Sequence, residues 1–184
     1  MNIRQEQLRS WVSGKYAGRL TPLSGEPYFH HVLTVAELAG KYADLGYETG
    51  LCHDMLEDGI CTDTELQAVL QGLHYTEKEI SLIRRTVIEL TDVFTAEAYP
   101  ELSKKKRRQK EANRLERICP LAQTVKYADM VYNIGWVIRY QQRKVRRYLK
   151  RKLKLLKQLD KGDATMRQLA LKTARHALKI YADS

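Results

Sequence analysis

The sequence predicts an all-α protein, and three observations carry that expectation. Apolar residues recur at three- and four-residue spacing, no segment alternates convincingly like a strand, and capping residues stand where helices would start. Taken in order, residues 3–17 form a weakly amphipathic helix, followed by a Gly- and Pro-containing entry over 18–27. A helix is expected over 28–45, where Gly46 stops it, and another over 47–57, with a loop at Gly59. Thr62 or Asp63 caps a short helix through Leu70. Thr76-Glu77-Lys78-Glu79 is a capping box, and it opens a helix carrying Ile80, Ile83, Val87, Ile88 and Leu90 through Thr91. Residues 94–101, with Tyr99-Pro100, read as a loop. A basic helix over 102–117 follows, then an apolar one over 121–140. The last two helices are expected over 141–158 and, capped by Asp163, over 164–182.

With 184 residues the chain is long enough for one buried core, and it carries a formal net charge of +10. No apolar run approaches the ~18 residues of a membrane span, and the N-terminus has no apolar segment of the secretory kind. Cys52, Cys61 and Cys119 form neither a Cys-x-x-Cys pair nor an even set, which fits a reducing, cytoplasmic location. The charge is unevenly placed. Residues 1–100 hold 8 basic and 15 acidic side chains, whereas residues 101–184 hold 24 and 7. The acidic half suits a cation and the basic half an anion.

Four separated pieces carry chemistry: His30-His31, His53-Asp54, Glu57-Asp58, and Asp129 with Asn133. On a helix, His53 and Glu57 stack one turn apart, as do Asp54 and Asp58, and Asp129 and Asn133. A His-Asp pair among Leu51, Cys52, Met55 and Leu56 is costly unless its charges are paired or bind a metal. His74 and His176 stand apart from these pieces, as solvated or locally bonded histidines.

The segments Gly25-Glu-Pro-Tyr-Phe-His-His31, His53-Asp-Met-Leu-Glu-Asp58 and Ala128-Asp-Met-Val-Tyr-Asn133 together resemble the motifs of the HD-domain phosphohydrolases. Within these the resemblance is to the small alarmone hydrolases and the hydrolase domain of the stringent-response enzymes. It covers residues 15–140, and implies an HD-domain helical bundle in a single domain over 1–184, with a basic helical extension over 141–184. It implies that His31, His53, Asp54 and Asp129 hold one divalent metal, Mn²⁺ in those enzymes. His30 is then the non-ligand of its pair. Two imidazoles and two carboxylates without sulfur suit Mn²⁺ better than a structural zinc. Glu57 and Asp58 match the family's catalytic acidic pair, which orients and deprotonates the attacking water. Asn133 would help place substrate or water.

The resemblance also marks the phosphate-binding side chains. Lys105, Arg107, Arg108 and Lys126 are candidates for gripping a diphosphate, and Tyr28 and Tyr132 for lining a nucleoside pocket. The expected activity is removal of pyrophosphate from the 3′ position of (p)ppGpp by a stand-alone enzyme. Two departures from the family pattern stand out: Pro22 and Leu23 replace basic residues in the stretch that lies near the guanine in the family, and Val32 replaces the proline after the motif histidine. The ten basic residues between Arg139 and Lys157, interleaved with Tyr140 and Tyr148, keep two alternatives open. One is a related hydrolase acting on pyrophosphorylated tRNA 3′ ends or another nucleotide, and the other is a non-catalytic RNA- or partner-binding module.

Overall fold

Asn2 and Thr76 close capping boxes at the starts of α1 (Ile3–Lys15) and α5 (Glu77–Leu90), while Thr62, Ser103 and Asp163 cap α4 (Asp63–Gly72), α6 (Lys104–Leu115) and α9 (Ala164–Ile180). The computed structural model describes residues 2–181, whose regular structure is all helical apart from one isolated Leu20–Pro27 bridge. Met1 and residues 182–184 lie outside the described residues, among them the ends of the expected 1–184 unit and of the expected 164–182 helix. The remaining helices are α2 (Tyr28–Ala39), α3 (Gly46–Cys52), α7 (Pro120–Tyr140) and α8 (Val145–Gln158).

Two apolar clusters fill the interior, and α2 lies between them. Val32 and Ala36 of α2 join Leu8, Leu51, Leu66, Ile80 and Ile83 from α1 and α3–α5. On its other face, Val35 and Ala39 join the cluster built around α7, which takes in Leu149 and Leu156 of α8 and Met166 and Ala170 of α9. The basic extension is therefore packed into the body of the protein. Its stripe of Val145, Leu149 and Leu156 is buried and Leu153 partly so, each fully buried leucine contributing roughly 1.5–3 kcal/mol.

Two expected helices end early. The 28–45 helix stops at Ala39 because the chain turns at Gly40 to lay α3 against α2. That contact needs glycine: a Cβ on Gly50 would lie 2.6 Å from the Ala36 Cα, and one on Gly46 would lie 2.5 Å from the Ala39 carbonyl oxygen. The 47–57 helix stops at Cys52, and residues 53–60 continue as turns, with the Asp58 amide still bonded to the Asp54 carbonyl. His53 keeps helical dihedrals, φ −58° and ψ −34°, and the Asp58 amide bond leaves Asp58 one turn beyond Asp54. The expected 141–158 helix is likewise divided, by a 3-10 turn at Gln142–Lys144.

Candidate metal centre

The close α2–α3 contact brings His31, on α2, to a ring-centroid distance of 5.1 Å from His53, at the end of α3. The Nδ1 of His53 lies 2.8 Å from the Gly50 carbonyl, so it carries the proton and leaves Nε2 to face inward. That Nε2 is buried with no hydrogen-bond partner, 3.1 Å from Asp54 Oδ1 and 4.0 Å from Asp129 Oδ1. The Nε2 of His31 lies 3.2 Å from Asp54 Oδ2 and 3.7 Å from Asp129 Oδ1. Four donors so spaced suit ligands about 2 Å from a common centre. His31, His53 and Asp54 form a group of ligand atoms within 4.8 Å of one another, and α7 adds Asp129 beside them.

The electrostatics match. Burial opposes the charge on His53, but Asp54 and Asp129 outweigh it and raise the imidazole to about 9. Burial would raise Asp54 and Asp129. The two histidines outweigh it at Asp54, and Lys126 with the histidines does so at Asp129, so both carboxylates titrate below the usual range.

Surrounding side chains orient these groups. Tyr28 donates its hydroxyl to Asp54 Oδ2 at 2.6 Å, and Asn133 Nδ2 donates to Asp129 Oδ1. Arg19 lays its guanidinium over the Tyr28 ring, 5.0 Å from the centroid, and pairs with Asp58 Oδ1 at 2.6 Å. Lys126 pairs with Asp129 Oδ2 at 3.2 Å, and the surrounding carboxylates keep it protonated despite burial.

A cleft of about 300 Å³ opens onto the centre, and among its lining residues are His31, Asp54, Glu57, Asp129, Tyr132 and Asn133. Tyr28 and Lys126 line it too. Glu57 accepts from the Asp92 amide at 3.1 Å, and partial burial and the Asp92 charge raise its carboxyl. Asp58 does not line the cleft; it holds Arg19 instead.

From this cleft a wider groove of about 720 Å³ runs between α6 and α8, sharing Asp92, Lys126 and Lys152 with it. Lys105 and Arg108 line the groove, while Arg107 turns its guanidinium onto the Tyr99 and Leu102 carbonyls and fixes the loop before α6. Asp92, Lys152 and Trp136 line the cleft although none of them is among the motif residues of the sequence. The Leu-Thr-Asp sequence before the loop marked Asp92, but Lys152 was one of ten basic residues and Trp136 carried no motif.

No protein-family model matches the chain. Over 114 residues it is 33% identical to the guanosine-3′,5′-bis(diphosphate) 3′-pyrophosphohydrolase MESH1 of Mus musculus, a match covering 60% of this chain and 55% of that protein. The chain thus spans about half the length of the curated relative it matches. A solved structure, described as a metazoan ortholog of SpoT that hydrolyzes ppGpp and plays a role in starvation responses, shares the fold. Its TM-score is 0.73 over 97% of this chain and 98% of that one, at 18% identity. The chain is thus similar in sequence to a guanosine-3′,5′-bis(diphosphate) 3′-pyrophosphohydrolase and in fold to a protein described as hydrolyzing ppGpp.

Proposed function

We propose that the chain is a metal-dependent 3′-pyrophosphohydrolase that converts (p)ppGpp and water to pyrophosphate and GDP or GTP. The observation that carries this reading is the gathering of His31, His53, Asp54 and Asp129 around one point in a cleft that also holds Glu57 and two lysines. The four side chains would hold one divalent ion, with Mn²⁺ favoured by the two-nitrogen, two-oxygen donor set. Such an ion, when bound, makes water a better nucleophile at neutral pH and offsets charge on the phosphate.

Glu57, held by the Asp92 amide, lines the cleft outside the four ligand candidates and takes the water's proton as the new phosphorus–oxygen bond forms. Its raised pKa brings it closer to the working pH of a general base. The bond from phosphorus to the ribose 3′ oxygen breaks, that oxygen regains a proton, and the pyrophosphate stays on the anion-binding side of the cleft. Lys126 and Lys152 grip that group, with Lys105 and Arg108 further along the groove. Asp58 is a positioning residue that acts through Arg19 and Tyr28 on Asp54. Asn133 positions Asp129.

The test is pyrophosphate release from ppGpp by the full chain loaded with Mn²⁺. Chelation and Asp54→Asn should each abolish it, and reloading with Zn²⁺ or Mg²⁺ ranks the metals. Metal binding without turnover would overturn the reading. The length and charge of the α6–α8 groove favour one second reading, in which the scissile pyrophosphate sits on an RNA 3′ end. Such activity would fall steeply with salt, with a slope set by the phosphates bound.

A further inference from the structure

The groove between α6 and α8 carries more positive charge than one diphosphate in the cleft requires. Lys104, Lys105 and Arg108 line it from α6, and Arg151, Lys152 and Lys154 from α8. The α6 face that lines it runs from Lys104 to Leu115, about 16 Å at the rise of an α-helix. The two carboxylates in the lining do not offset these cations. Glu111 pairs with Arg114 and accepts the Val93 and Phe94 amides, and Asp92 stands where the groove joins the cleft. Among the described residues, none of Lys104, Lys105, Arg108, Arg151 and Lys154 has a carboxylate within ion-pair distance.

Holding like charges together works against the fold. Arg151 is lowered from the usual arginine range, first by partial burial and then by the charges of Arg108 on the opposite wall and Arg147 on its own helix. Lys104, Lys105 and Lys106 fill the first turn of α6 with no acidic residue among them, at the end of the helix dipole that disfavours cations. Unpaired cations gathered along a groove create a potential that an anion lying in it relieves. Lys150 and Lys157 of α8 show the other arrangement, exposed to solvent and outside the groove.

The outlet and lining of the groove select the anion. It joins the cleft through Lys126 and Lys152, the two lysines placed to grip a pyrophosphate. Arg108 and Arg151 add planar forks of donors that match phosphate oxygens. Tyr148 is the one aromatic side chain among the described residues of the lining, too few rings to stack the successive bases of a nucleic-acid strand. We propose that the α6–α8 groove binds a linear inorganic polyphosphate, with one end of the chain at Lys126 and Lys152, and that the bound chain shuts ppGpp out of the cleft. Exclusion of ppGpp rests on the phosphohydrolase reading, whereas binding in the groove does not.

Calorimetry on the full chain, kept metal-free by chelator, tests the binding. Long-chain polyphosphate should bind about a hundredfold more tightly than inorganic pyrophosphate, which engages only the cleft end. Arg151→Gln combined with Lys154→Gln should weaken polyphosphate binding about tenfold and leave pyrophosphate binding unchanged, which also shows that the variant is folded. Lys150→Gln combined with Lys157→Gln removes the same charge outside the groove and should change neither. Equal losses in the two double variants, or equally tight binding of polyglutamate or oligouridylate of matching charge, overturn the site. In ppGpp hydrolysis with Mn²⁺ in excess, polyphosphate should raise the KM of the wild type without lowering kcat, and the Arg151→Gln, Lys154→Gln variant should escape this inhibition. Inhibition of equal size in both proteins overturns the exclusion and marks capture of the metal by polyphosphate. Hydrolysis without polyphosphate binding overturns the groove site alone. Polyphosphate binding without hydrolysis overturns the enzymatic reading alone.

Discussion

Lys126 and Lys152 line the same cleft from α7 and α8, yet among the described residues only Lys126 has a carboxylate within ion-pair distance, Asp129 at 3.2 Å. Lys152 is packed near the Tyr148 ring, at 5.4 Å, and both burial and the charge of Lys126 lower its pKa. A folded pKa below the usual lysine value means that the unfolded chain binds the proton more tightly. The charge therefore costs stability at neutral pH, and the cost shrinks as pH rises through the folded pKa.

Lys152→Gln should accordingly separate binding from stability. Urea denaturation at pH 7 should show the variant more stable by about 1 kcal/mol, since a partly buried charge without an ion-pair partner among the described residues is removed. Its KM for ppGpp should rise about tenfold, since a cation facing the pyrophosphate is lost. A less stable variant would mean that the ammonium has a stabilising partner in the folded protein.

The α2–α3 contact can be probed through its glycines. Gly50→Ala drives a Cβ into the Ala36 backbone, so unfolding measurements should show a loss of 3 kcal/mol or more on the order of other overpacked cores. Because His31 and His53 lie on the two helices forced apart, Mn²⁺ affinity measured by calorimetry should fall at least as sharply. Gly135→Ala, on an open face of α7 with nothing near its Cβ, should instead add about 0.5–1 kcal/mol.

Glu79 links the start of α5 to α1. It completes the Thr76 capping box and takes a forked pair of bonds from Arg4, at 3.1 and 3.2 Å, and the arginine bond above all lowers its pKa. A depressed carboxylate pKa stabilises the fold above its unfolded value of about 4.3 and loses that stabilisation as pH falls through the folded value. Glu79→Gln keeps the capping geometry and removes the charge. It should cost about 0.5–1 kcal/mol at pH 7, and the gap to wild type should close in denaturation curves below pH ~4. A gap unchanged by acid would place the effect in the cap and not in the ion pair.

The basic extension combines a structural and a solvated face. Leu156→Ala should destabilise the whole protein by about 2–5 kcal/mol in a single unfolding transition, because Leu156 is fully buried in the cluster around α7. Replacing Arg146 and Arg147 by Gln, both exposed, should stay within about 0.5 kcal/mol. A separate early transition in the leucine variant would show that α8 and α9 fold apart from the rest.

Much of the fold is legible in local sequence. Thr76 and Asp163 cap the helices they were expected to cap, and the Val145–Leu149–Leu156 stripe is buried as its spacing requires. The stop at Cys52 was not legible, because residues 47–57 satisfy a helical pattern and the turn is set by packing against α2. Arg107 stood among equivalent cations until its guanidinium was seen on the Tyr99 and Leu102 carbonyls.

The four candidate metal ligands follow from a resemblance to family motifs, whereas the helical class and the separation of acidic and basic halves were determined by the sequence itself. Those properties depend on side-chain type and on short spacings, which the chain carries wherever it goes. Tertiary structure alone decided that Glu57 lines the cleft while Asp58 holds Arg19, and that Lys152 of α8 and Trp136 of α7 line the same cleft. Each of these joins residues distant in sequence or separates neighbours. Such choices are made by helix packing, including the close approach that Gly50 permits, and have no period or motif to announce them.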